Sequence, residues 1–160
     1  MPQPRGWQTR GRRPWRLAAR SFCGIAALLT AASPAAALGL LARSVIALEN
    51  NPDLARLGRS ALVDHHIASV TYVEAPLTAG HKARAPYDVI LFGGAAAAVP
   101  EEITAQLAEG GRLGVVVREP GSVGRAVLIT RTGAVLAQRV IFDAATPLLP
   151  GFEAEPGFVF

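Results

Sequence analysis

Cysteine is nearly missing: Cys23 is the only one in 160 residues. One thiol excludes an intrachain disulfide framework and a cysteine-built zinc site. Aromatics are scarce at 6%, so the apolar 51% is mostly Ala, Val, Leu and Ile. That is the composition of helices and buried strands in an α/β protein. Charged residues amount to only 18%, too few beside that apolar content for an intrinsically disordered chain. The apolar run at residues 22–32 has eleven residues, short of the ~20 that span a bilayer. Several chemical signatures are lacking as well. There is no HExxH pair of metal-ligating histidines, no phosphate-cradling GxxxxGK[ST] loop and no GxSxG nucleophile elbow. His65, His66 and His81 lack metal-ligand spacing and read as turn histidines.

What is present divides unevenly. Residues 1–44 hold seven arginines and no acid, a charge of +7, whereas residues 45–160 hold nine basic and twelve acidic residues, a charge of −3. The high isoelectric point therefore belongs to an N-terminal arm. The rest has no Lys/Arg footprint for reading nucleic acid, so no nucleic-acid partner is expected. Residues 1–34 read as a basic, Ala/Pro-rich arm and residues 35–160 as the folded domain. The arm also fits an export signal, with residues 22–32 as its apolar core and cleavage near Ala37. The alternatives are a cytoplasmic protein without stable membrane association and an exported one.

From Ala35 the pattern becomes regular. Residues 35–42 are helix-like. Residues 45–48 form a continuous apolar strand ending at Glu49. Asn51-Pro52 supplies a cap and a first-turn proline for a helix whose Leu54, Leu57, Ala61 and Leu62 share one face. Residues 70–73 form a second strand ending at Glu74, and residues 87–92 a third that Gly93-Gly94 breaks. Pro100-Glu101-Glu102 opens a helix with Ile103 and Leu107 as its buried stripe and Gly110 as its stop. Residues 112–117, 124–130 and 134–141 complete the strands, the last two joined by a hairpin turn. This order predicts an α/β fold: a mostly parallel sheet, helices on both faces, and an antiparallel strand pair at the C-terminal end.

Ligands of such sheets bind outside the carboxyl ends of the strands. Glu49 stands at such an end, where a carboxylate can accept both hydroxyls of a ribose; a solvated or helix-capping acid is the competing reading. Glu74 repeats the pattern after the next strand. Gly93 and Gly94 would let backbone approach a ligand closely; a turn without ligand explains them equally.

The stretches ARSVIALENNPDLARLGRSAL, ASVTYVEAPLTAG, APYDVILFGGAAAAVPEEITAQLAEGGRLGVVV and VGRAVLITR resemble the protein-L-isoaspartate O-methyltransferase family from about Ala35 onward. The order and spacing of AAAVPEEITAQLAEGGRL carry most of the likeness. The resemblance implies a Rossmann-like fold, S-adenosylmethionine as cofactor, and isoaspartyl-containing proteins as substrates, repaired by carboxyl methylation. It assigns cofactor binding to Glu49, Glu74, Gly93 and Gly94, the glycines with Ala95 lining the cleft, and names no catalytic base or nucleophile. Three departures stand against the family pattern. Glu74-Ala75-Pro76 replaces a Gly-Asp-Gly, the glycine-rich cofactor loop is reduced to Cys23-Gly24-Ile25-Ala26, and the Ser/Thr substrate loop is absent. The expectation is thus an incomplete methyltransferase domain, its usual central first strand unrecognised. The alternative is a catalytically inactive remnant or binding module.

Overall fold

A computed structural model describes residues 22–24 and 34–154. Strand β1 (Phe22–Gly24) pairs in parallel with β2 (Val45–Glu49), which pairs in parallel with β3 (Val70–Glu74). Helix α1 (Pro34–Leu41) precedes β2, and α2 (Pro52–Asp64) joins β2 to β3. A second sheet runs in the order β4 (Tyr87–Ala96), β5 (Leu107–Val117), β6 (Arg125–Thr132), β7 (Val135–Asp143). β4 and β5 are parallel, and β6 and β7 close the edge antiparallel. β1 also lies against β4, which makes it the seam between the two sheets. The mostly parallel sheet with an antiparallel C-terminal pair is as the sequence predicts.

The first strand is therefore present. Phe22–Gly24 enters the sheet from within the stretch read as an arm, in register with Val45, Ile46 and Ala47. Of Cys23-Gly24-Ile25-Ala26, the stretch read as the reduced cofactor loop, Cys23 and Gly24 belong to β1, and Ile25 and Ala26 lie outside the described residues. So do most of the apolar core of the export-signal reading and the arginine-rich residues before it.

β2 shows why it is central. All five of its residues are buried. Val45 and Ala47 face one side, where Ala35 of α1 and Ala55 and Leu62 of α2 pack with Val70 and Tyr72. Ile46 and Leu48 face the other, joining Leu77, Ile90, Phe92, Ile103 and Leu113 in the larger core. A strand buried on both faces has no polar alternation, which is why it reads as one apolar run. The α2 face differs from expectation: Leu57 is 60% exposed and Ala55 is fully buried. Tyr72 fills the space over Gly58, so α2 lies on the sheet along 55, 58 and 62; of the expected Leu54, Leu57, Ala61 and Leu62, only Leu62 is buried.

Two further expectations are corrected. The glycines do not end the third strand: β4 runs through Gly93-Gly94 to Ala96, with a register shift between Leu91 and Ala95. The helix opened by Pro100 is one turn, α3 (Glu101–Thr104), and Leu107 already belongs to β5. Tertiary partners claim the groups a longer helix would need. The Gln106 carbonyl accepts from Tyr87 N, and Arg131 Nη1 donates to the carbonyls of Ala105 and Leu107. The buried Gln106 side chain bonds Ala79 O, Glu102 O and His81 N. Gly110 has the positive φ of a helix stop (71°), but it sits in a bulge of β5.

Candidate functional site

The carboxyl ends of β1, β2 and β3 point the same way, as do those of β4 and β5, because neighbours within each set pair in parallel. Glu49 and Glu74 are direct register partners at that edge, and Ala75 N donates to Glu49 O at 3.2 Å. Glu49 is 2% exposed. Its Oε1 accepts from Asn51 N at 2.9 Å, while Asn51 Oδ1 caps α2 by accepting from Asp53 N and Leu54 N. The β2 end, the carboxylate and the helix entry thus form one fixed unit. A buried carboxylate is stable only where donors meet it, and its lone pairs suit a vicinal diol.

Glu74 is in a different setting. It is half-exposed and meets Arg59 Nη2 of α2 at 2.7 Å. Arg59 went unrecognised in the sequence, where it stands only as a residue off the apolar face; its partner is fifteen positions away and no local spacing signals it. Gly93 is exposed, but Gly94 and Ala95 are buried. A Cβ on Gly94 would come within 2.6 Å of Leu149 Cδ2 and 3.0 Å of Pro147 O. Ala95 N donates to Pro147 O and Leu149 N to Ala95 O, both at 2.8 Å. At Gly94 and Ala95 the backbone thus makes a close approach to the C-terminal segment of the chain itself. The structure joins Glu49 to Glu74; Gly93–Ala95 lie two strands away, beyond β1.

A second concavity, of about 390 Å³, opens where β4 and β5 end. It is lined by residues 97–100, 119–120 and 151–154. Ala97 N donates to Phe152 O at 2.8 Å, and the Phe92 and Phe152 rings meet edge to face at 5.2 Å. The acids on its rim, Glu119 and Glu153, escaped the sequence reading because they are isolated charges in loops. Among the described residues no group of His, Cys, Asp and Glu could hold a metal ion, and no helix is long and apolar enough to cross a membrane.

Comparison with known proteins adds the following. The model of the protein-L-isoaspartate(D-aspartate) O-methyltransferase family matches residues 24–142. A protein-L-isoaspartate O-methyltransferase 1 of Anaeromyxobacter sp. is 39% identical over 116 residues, 71% of this chain and 55% of the relative. One from Koribacter versatilis is 34% identical over 109 residues, covering 68% and 48%. This chain spans about half the length of such relatives. A solved protein-L-isoaspartate O-methyltransferase superposes with a TM-score of 0.75 at 19% identity, over 84% of this chain and 44% of that one. A Plasmodium falciparum structure, described as a putative member in complex with S-adenosyl-L-homocysteine, gives 0.57 at 21% identity, over 66% and 52%. These two likenesses establish the shared fold.

Proposed function

The chain belongs to the protein-L-isoaspartate(D-aspartate) O-methyltransferase family, and from that premise we propose that it is the cofactor-binding part of a protein-repair enzyme. It binds S-adenosylmethionine and serves the methylation of isoaspartyl side-chain carboxyls in damaged proteins. The observation that carries this reading is Glu49: a buried carboxylate held by a backbone N–H at the carboxyl end of a parallel strand.

In this reading Glu49 accepts the ribose hydroxyls, and its bond to Asn51 N fixes it before the ligand arrives. Glu74 stands next to it toward the adenine, its charge offset by Arg59. Of the two glycines, Gly93 offers exposed backbone to the cleft, while Gly94 acts from behind by seating Leu149. The cofactor supplies an electrophilic methyl group to a carboxylate that is already a nucleophile. The chain's own contribution is therefore orientation and exclusion of water, and no general base is needed. The location we propose is the cytoplasm, where S-adenosylmethionine is made.

Isothermal titration with S-adenosylhomocysteine tests the proposal. Micromolar binding is expected, weakened roughly tenfold or more in Glu49→Gln, since a hydrogen bond to a charged group contributes ~1.5–3 kcal/mol. No heat of binding, or equal binding by the variant, overturns it.

A further inference from the structure

Resting on the isoaspartyl reading, we infer that the concavity at the ends of β4 and β5 takes an extended basic peptide, seating a Lys or Arg beside the reacting residue. Its lining is built for a chain rather than for a compact ligand. Ala97, Ala98 and Val99 are small, and Phe152, which lines the concavity with them, is buried and pinned by its backbone bond to Ala97 and its ring contact with Phe92. Small side chains beside that pinned ring leave a trough that a peptide backbone can enter.

The charge at the rim decides which peptide. Glu119 and Glu153 are exposed there, and among the described residues no basic side chain lines the trough. Glu153 Oε2 accepts from Gly151 N at 2.8 Å, which holds it in place. Glu119 forms no ion pair among the described residues. Its neighbour Arg118 donates Nη1 to Thr146 O at 3.1 Å and is engaged elsewhere. An isoaspartyl carboxylate arrives as an anion, so two rim carboxylates repel a substrate with acidic flanks. A flanking cation offsets that repulsion and draws the peptide in.

Fluorescence anisotropy on the full chain reads this directly. The probes are labelled isoaspartyl peptides identical except for Lys or Glu on both flanks, together with their ordinary aspartyl counterparts. Lys-flanked isoaspartyl peptide is expected to bind about threefold to tenfold more tightly than the Glu-flanked one at low salt, the effect of two exposed ion pairs. The preference is expected to shrink in high salt and to fall below about twofold in Glu119→Gln/Glu153→Gln, whose folding is checked by its melting curve. Equal affinity for both flanks, or a preference that survives the double variant, overturns the inference. So does self-association on sedimentation that blocks the peptide, because a second copy would then own the trough. If the Lys preference stands while isoaspartyl and aspartyl peptides bind alike, the repair reading fails and the basic-peptide trough remains.

Discussion

At Gly94 the absence of a side chain is a packing requirement. Leu149 and the Pro147 carbonyl occupy the place of its Cβ, and the neighbouring Ala95 is bonded to that same segment. Gly94→Ala forces Leu149 or the backbone aside, and overpacking of this kind costs about 1–3 kcal/mol. Urea unfolding followed by circular dichroism should show a lower midpoint with an unchanged slope. The glycine pair is visible in the sequence, but its reason is not: the segment that presses on it begins some fifty residues later. Glu49 is the converse case. Its place at the end of an apolar run before a capped helix is legible locally, and the fold puts it at that strand end, buried.

Among the elements, α2 is the one most fully encoded by its own residues. Asn51 caps it, Pro52 opens it, and Asp53 sits in the first turn. Asn51→Ala removes the acceptor for two helix N–H groups and should cost about 1 kcal/mol, measurable as a shift in the thermal midpoint. The Asn51 backbone N–H that holds Glu49 remains, so cofactor affinity should fall less than in Glu49→Gln. α3 is the opposite: its proline and acids start a helix that Gln106, Arg131 and the pairing of β5 with β4 stop after one turn. Local propensity fixes where a helix begins more firmly than where it ends, because its last carbonyls can be claimed by distant donors.

For the molecule as a whole, β7 is the exposed margin. All nine of its residues are exposed, including Val135, Val140, Ile141 and Phe142. An apolar strand at a sheet edge is a template for pairing with other chains. Phe142→Lys should change stability by less than ~0.5 kcal/mol while lowering light scattering during thermal unfolding; unchanged scattering would place aggregation elsewhere. The strands β6 and β7 and the turn between them are legible in the sequence, but the exposure of both faces of β7 is not. Apolar residues in the strand pattern read the same whether or not another element covers them.

What the amino-acid sequence settled alone is whatever depends on neighbours a few positions apart: the apolar strands, the cap and proline of α2, the hairpin, and the carboxylates that end β2 and β3. The tertiary structure alone decided that Phe22–Gly24 is a strand, that β4 continues through its glycines, that α3 is cut short, and that Arg59 meets Glu74. Each of these rests on a partner remote in sequence: Val45 for β1, Leu149 for Gly94, Arg131 for α3. A three-residue strand or a lone arginine has too little local free energy to choose its conformation. The choice is made when the distant partner supplies the missing hydrogen bond or contact.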